Sequence, residues 1–116
     1  MKKVNENDFE YRFGDNGPKY LTKGPNVDLG VVVLKPNQDF PNHYHTTCEE
    51  IFYILEGEIN FYINNVKVPA KPGDMIQCHQ GDSHYLVNHS DKNFKAVFIK
   101  SPHIKEKDSV TIDNPR

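Results

Sequence analysis

His43 and His45, two histidines one residue apart, are the first side chains whose types and spacing suit chemistry. On a β-strand, residues i and i+2 point to the same face, so both imidazoles would enter one space. The acidic pair Glu49-Glu50 follows closely in the sequence. Imidazole and carboxylate groups suit a divalent ion such as Zn, Fe, Mn, Co or Ni. The alternative is a polar loop with two solvated histidines, because a metal site needs further ligands from elsewhere in the chain.

A second segment supplies another histidine, and the two segments together resemble the paired motifs of the cupin family. The first family motif is His-x-His, three or four residues, Glu, six residues and Gly. This sequence matches it with His43, His45, Glu50 and Gly57. The second motif is Gly, five residues, Pro, one residue, Gly, two residues, His, three residues and Asn. This sequence matches it with Gly73, Gly81, His84 and Asn88.

The resemblance implies four metal ligands, which are His43, His45, Glu50 and His84. The six-residue spacing to the motif glycine selects Glu50 over its acidic neighbour. The expected cofactor is a divalent transition metal, and Zn, Mn, Fe, Ni and Co all remain open because ligand type alone does not fix the metal. The resemblance implies no particular catalytic residue.

Two positions depart from the family pattern. Asn37 stands where the first motif usually opens with Gly, a mild change because Asn also tolerates a positive φ. His79 stands where the second motif has Pro, which loosens a turn but removes no ligand. His79 is interpreted as a surface turn residue, with a role as a proton shuttle at the pocket mouth left open.

The composition of the chain argues against nucleic acid and membrane as binding partners. The chain has 116 residues and a formal net charge of −2, and no basic face typical of nucleic-acid binders is visible. No apolar run approaches the ~18 residues that cross a bilayer, and the first residues lack the apolar stretch of a signal peptide. Cys48 and Cys78 are interpreted as reduced thiols. We therefore expect a cytoplasmic protein that binds neither nucleic acid nor membrane.

The segments that must position the candidate metal ligands are predicted to be short strands separated by turns. Asn64-Asn65 between two apolar alternations favours a tight hairpin. Many short strands with frequent turns indicate an all-β barrel or sandwich, and the family resemblance sharpens this to a double-stranded β-helix, the jelly-roll cupin barrel. The predicted strands cover residues 19–22, 27–34, 40–45, 50–55, 58–63, 66–68, 75–78, 84–88, 94–99 and 110–112.

One domain is expected over residues 1–116. Within it we predict an N-terminal arm over 1–25, a barrel over 26–100 and a C-terminal tail over 101–116. His89 and His103 lie among polar residues and are predicted to face solvent.

The pattern of one predicted strand also indicates that the protein associates with a second copy of itself. If Glu50 faces the lumen, period-two alternation sends Ile51, Tyr53 and Leu55 outward. Three apolar side chains in a row on an outer face need a cover. We expect a second copy of the chain, in a homodimer, to provide it. The alternative is that one of the terminal segments folds over them.

Three functions are compatible with these residues. The favoured hypothesis is a metal-dependent enzyme of isomerase or lyase type that acts on a small oxygen-rich metabolite such as a sugar or sugar acid. The second is a dioxygenase that uses Fe, Mn or Ni. The third is a protein that binds a metal or small ligand without turning it over. In each case the partner is a small molecule, and the residues leave the choice open.

Overall fold

The computed structural model describes residues 1–115 as two antiparallel β-sheets packed face to face. A short 3-10 turn at Glu6–Asp8 precedes the strands. The ten strands are β1 (Gly17–Lys23), β2 (Asp28–Leu34), β3 (Asp39–His45), β4 (Glu49–Glu56), β5 (Ile59–Ile63), β6 (Val66–Ala70), β7 (Met75–Cys78), β8 (His84–Val87), β9 (Phe94–Ser101) and β10 (Ser109–Thr111). Residues 1–115 contain no helix that is long and apolar enough to cross a membrane.

The strand order shows how distant segments come together. One sheet has the order β1-β2-β9-β4-β7 and the other β10-β3-β8-β5-β6. Sequence neighbours β3 and β4 therefore lie in opposite sheets, while β3 and β8 pair directly. This arrangement confirms the all-β, double-stranded β-helical fold expected from the sequence.

Aromatic side chains from both sheets fill the space between them. Phe52 of β4, Phe61 of β5 and Phe94 of β9 are buried. Phe61 meets both other rings edge to face, at centroid distances of 5.2 Å to Phe52 and 6.4 Å to Phe94. Edge-to-face pairs suit the ring quadrupoles, so this cluster fixes the spacing of the two sheets at one end of the barrel.

Asparagine and glycine make the turns that the motifs require. Asn64 and Asn65 adopt φ of 50° and 66°, which confirms the tight hairpin between β5 and β6. Asn37 has φ 66°, so it takes the left-handed conformation for which the family usually has glycine. Gly57 also has a positive φ, and a Cβ there would lie 2.3 Å from the Asn93 carbonyl oxygen. A side chain at Gly57 would therefore force the β4–β5 connection apart.

Strand β4 alternates as predicted. Glu50, Phe52 and Ile54 are buried, while Tyr53 and Leu55 are exposed.

The single-domain assignment stays a prediction, as do its arm, barrel and tail boundaries. The two sheets extend into residues expected in the arm and tail, since β1 pairs with β2 and β10 pairs with β3. Residues 69 and 70, expected in a loop, continue β6.

Candidate metal centre

Three strands bring the four predicted ligands into the lumen. His43 and His45 project from β3, and His84 lies opposite His43 in the β3–β8 register. Glu50 comes from β4 in the facing sheet. All four side chains are buried, and each offers a donor atom within 4.8 Å of the other three. The sequence-predicted set is therefore assembled in one place by the fold.

Glu50 lies between the imidazoles. Its Oε1 is 3.1 Å from Nε2 of His45 and 3.0 Å from Nε2 of His84. The His43 ring lies 4.2 Å from the His84 ring and 5.1 Å from the His45 ring, centroid to centroid. One carboxylate oxygen and three imidazoles thus surround a single small volume.

An oxygen acceptor holds the Nδ1 atom of every imidazole. Nδ1 of His43 lies 2.7 Å from the Pro41 carbonyl oxygen, and Nδ1 of His84 lies 3.1 Å from the Asp82 carbonyl oxygen. Nδ1 of His45 lies 2.8 Å from Oδ1 of Asp108. Carbonyl and carboxylate oxygens accept hydrogen bonds, so each Nδ1 carries the proton and donates it. Nε2 of each ring points into the shared volume. With no ion bound, Nε2 of His45 and of His84 donates to Glu50, and it is the nitrogen that would coordinate an ion, the arrangement found where histidine binds a metal.

The electrostatics of the cluster follow from burial and from the Glu50 charge. Burial lowers the pKa of His43 to about 4, and the neighbouring His84 adds to the effect. Burial also acts to lower the pKa of His45, but the hydrogen bond and charge of Glu50 outweigh it and raise that pKa. Burial favours neutral Glu50, yet hydrogen bonds from His45 and His84 hold its pKa below the usual range. The centre therefore keeps an ionised carboxylate deep in the protein.

The chemistry of this donor set fits a divalent transition metal. Three neutral imidazoles and one carboxylate are ligands of intermediate hardness, suited to Zn, Mn, Fe, Ni or Co. A buried carboxylate without a fixed cation is costly, and here two Nε2 atoms approach its oxygen in the place where an ion would sit.

A cavity of about 530 Å³ opens onto the cluster. Its wall contains His43, His45 and Glu50. Apolar side chains such as Phe40 and Leu86 line other parts of it. This volume falls in the range of small-molecule sites, so a ligand of metabolite size can reach the donor atoms.

Sequence reasoning missed three residues that shape this cavity, namely Asp108, Lys100 and Tyr20. Asp108 lies in the segment before β10, where it binds His45 and also accepts hydrogen bonds from the backbone and hydroxyl of Thr47. Lys100 could have been found, because alternation along β9 places it on the same face as buried Phe98. Asp108 and Tyr20 carry no comparable signal.

The remaining polar candidates lie away from the donor atoms. His79 is exposed, and its Nδ1 is 3.7 Å from Oε2 of Glu49. The motif asparagine Asn88 is buried and donates to the carbonyl oxygens of Leu34 and Lys92, which ties strand ends together. The expectation that His103 faces solvent is wrong. Its ring is partly buried, because Nδ1 lies 2.6 Å from Oδ1 of Asp28.

Both cysteines are free and buried. Burial raises the pKa of each thiol to about 12, helped by Asp108 at Cys48 and by Glu50 at Cys78. Cys48 lies with His45 and Asp108 in a second group of potential donor atoms. Burial favours the protonated thiol, so an ion bound at this second group would have to displace that proton.

The fold and the site together define a small β-barrel protein with a buried His/Glu cluster suited to a metal ion. The family model for the cupin domain matches residues 30–100, which is more than half of the chain. The chain belongs to the cupin family.

Known relatives resemble parts of the chain. An oxalate-binding protein from Thermotoga maritima is 40% identical over 68 residues, which cover 57% of this chain and 56% of that protein. The chain spans about half the length of this relative and of two other curated relatives that it matches.

Solved structures share the fold at low sequence identity. A conserved protein with a double-stranded β-helix domain from Klebsiella pneumoniae superposes with a TM-score of 0.82 at 16% identity, over 98% of this chain and 99% of that one. A sugar phosphate isomerase of the cupin superfamily from Silicibacter pomeroyi superposes with a TM-score of 0.63 at 20% identity, over 76% of this chain and 62% of that one. At these identities the likeness shows the fold alone.

Proposed function

We propose that the protein is a metal-dependent enzyme of isomerase or lyase type that acts on a small oxygen-rich metabolite such as a sugar or sugar acid. In this proposal His43, His45, Glu50 and His84 hold one divalent ion, which would polarise a carbonyl or hydroxyl oxygen of the ligand. The observation that carries the proposal is the convergence of the four donor groups beside a cavity whose wall contains three of them, His43, His45 and Glu50.

Residues of this chain orient the donor groups and help to exclude water from this site. Pro41, Asp82 and Asp108 fix the three imidazoles through Nδ1, so their donor atoms need little rearrangement. Phe52 packs beside His84 at 5.9 Å between ring centroids and closes the inner end of the space. A ligand bound here therefore meets pre-oriented groups at a partly buried site, where electrostatic interactions are stronger than in water. A sugar phosphate isomerase shares the fold, and this analogy of fold guides the choice of compounds to test.

Turnover of a panel of sugars and sugar acids, followed by NMR with the metal-loaded protein, tests the proposal. We expect one class of these compounds to be converted, and His84→Ala to abolish conversion while the barrel stays folded. The same conversion by a purified, metal-free His84→Ala variant would contradict the proposal.

A second candidate is binding without turnover, and one observation favours it. The oxalate-binding relative shares 40% identity over the aligned residues and is named for a ligand that it binds. A small ligand that raises the melting temperature of the metal-loaded protein, with no product formed by any member of the panel, would favour this second function.

We also propose that two copies of the chain associate. Tyr53 and Leu55 of β4 are exposed on the outer face of their sheet, and Met75 of β7, which pairs with Tyr53, is 56% exposed. These three side chains form a contiguous apolar surface, which a soluble monomer seldom leaves uncovered. A cytoplasmic location stays a prediction, supported by two free thiols.

A further inference from the structure

Lys100 places a positive charge inside the cavity that contains the candidate metal centre. It lies near the end of β9, where the register pairs it with Glu50 of β4. Its side chain lines the cavity, and its Nζ donates a 2.7 Å hydrogen bond to the hydroxyl oxygen of Tyr20. Tyr20, from β1, lines the same cavity. An ammonium group and a hydroxyl group thus face the ligand space together.

The ammonium group has no carboxylate partner within residues 1–115. The lysine salt bridges of these residues join Lys35 to Asp15 and Lys95 to Glu6, and none involves Lys100. Glu50 is close enough to raise the pKa of Lys100 against the effect of burial. However, Oε1 of Glu50 is held by His45 and His84, and the salt bridges of Glu50 are with these two imidazoles. Lys100 is therefore a partly buried cation whose direct partner is a neutral hydroxyl.

Tyr20 is held firmly and keeps one donor to spare. Its ring meets Phe98 edge to face at 5.2 Å between centroids, and Nζ of Lys23 lies 4.5 Å from the ring centroid on another side. Because the hydroxyl oxygen accepts from Lys100, its own O–H remains able to donate. Gly30 makes room for this support, since a Cβ there would lie 2.4 Å from Cζ of Phe98.

The charge balance of the cavity favours an anion. Its wall contains four basic side chains, Arg12, Lys23, Lys100 and Lys107, and four acidic ones, Asp28, Asp39, Glu50 and Asp108. A divalent ion at the centre would therefore leave the wall with a positive formal charge. A neutral sugar leaves that charge uncompensated, whereas an anionic ligand balances part of it.

We propose that Lys100 and Tyr20 form a subsite that binds the carboxylate of an anionic substrate whose other oxygen atoms face the metal. This inference rests on the proposed function and narrows its substrates to carboxylated ones, such as sugar acids. One ammonium and one hydroxyl donor match the two oxygens of a carboxylate. Phosphate is commonly met by several backbone N–H groups at a helix N-terminus, and the helical structure of residues 1–115 is a single 3-10 turn.

Oxalate binding to the Mn(II)-loaded protein tests the proposal, by calorimetry at fixed pH and ionic strength. Lys100→Met keeps the apolar stem and removes the charge. It is expected to raise the dissociation constant for oxalate at least about tenfold, the usual effect of losing a charged hydrogen bond. Tyr20→Phe is expected to raise it by about threefold to tenfold. Lys67→Met, an exposed lysine outside the cavity wall, is the control with the same change in net charge.

Metal content, measured on the same samples, separates this inference from the proposed function. The inference predicts unchanged metal content in all three variants, so a loss of oxalate affinity would belong to the subsite. Equal oxalate affinity in wild type and both cavity variants would overturn it, as would failure of oxalate to bind the metal-loaded wild type. A response to Lys100→Met that is larger for inorganic phosphate than for oxalate would overturn the carboxylate assignment. If Lys100→Met does not fold, Tyr20→Phe decides the question alone. Loss of metal from the wild type itself would instead contradict the proposed function.

Discussion

Replacing Asp108 with Asn tests how His45 is prepared for coordination. Oδ1 of Asp108 accepts from Nδ1 of His45 at 2.8 Å, while Oδ2 accepts from the backbone N–H and the hydroxyl of Thr47. Asn has one acceptor and one donor group in the same shape. If its oxygen keeps the Thr47 contacts, its NH₂ group points at Nδ1 of His45. If the amide turns over, its NH₂ group faces the backbone N–H of Thr47, which is also a donor, while the Thr47 hydroxyl can rotate to accept from it.

The first arrangement reverses the tautomer of His45. Nδ1 would become the acceptor and Nε2 would carry the proton, so a nitrogen that should coordinate would present N–H to the ion. Changes to groups that orient metal-binding histidines usually reduce metal affinity by about 10- to 100-fold. That corresponds to about 1.4 to 2.8 kcal/mol of binding free energy. The second arrangement loses the hydrogen bond from the Thr47 backbone N–H and loosens the same segment.

Competition with a chromophoric chelator measures this effect on Zn(II) affinity. The Zn(II) affinity of Asp108→Asn is expected to be about 10- to 100-fold lower than that of wild type. Its circular dichroism spectrum should remain that of a β-barrel. Asp113→Asn, the same change at an exposed position in the same tail, is the matched control and should match wild type. An Asp108→Asn affinity within about twofold of wild type would refute the reasoning, because the orientation of His45 would then not depend on this carboxylate.

Three further perturbations test the packing, the assembly and the ionisation of the protein. Gly30→Ala places a methyl group 2.4 Å from Phe98 and should lower the free energy of unfolding by about 1 to 3 kcal/mol in urea titrations; an unchanged midpoint would contradict the contact. Tyr53→Lys should convert a dimer to a monomer in sedimentation analysis, and a wild type that is already monomeric would contradict the dimer. Burial and the hydrogen bond to Asp39 raise the pKa of Tyr85 to about 12. The unfolded chain ionises at a lower pH, so stability should fall as pH rises above about 10; Tyr85→Phe should weaken that fall, and parallel curves would contradict it.

Much of the site was predictable because it depends on local spacing. His43 and His45 share a strand face by period-two geometry alone. The spacing from Glu50 to Gly57 and the second motif around His84 then identified the other two donors. The structure brings these four side chains together, since each motif supplies its own turn and strand.

The rest of the cavity depends on contacts that no short pattern encodes. Asp108 reaches His45 across 63 positions of sequence, from a charged segment without periodicity. Tyr20 lies next to a register shift in the β1–β2 pairing, so simple alternation does not predict its face. Lys100 does follow the alternation of β9, but it lies beyond the end at residue 99 expected for this strand, which continues to Ser101. Sequence reasoning therefore predicted the donor cluster but not the polar groups around it.

The most direct test of the central claim is the metal content of the purified protein after exhaustive dialysis, measured for wild type and for His84→Ala. Four converging donors predict about one divalent transition-metal ion per wild-type chain and strongly reduced content in the folded variant. Wild-type protein that retains no metal after loading, or a variant that retains as much as wild type, would contradict the claim that these side chains form a metal centre.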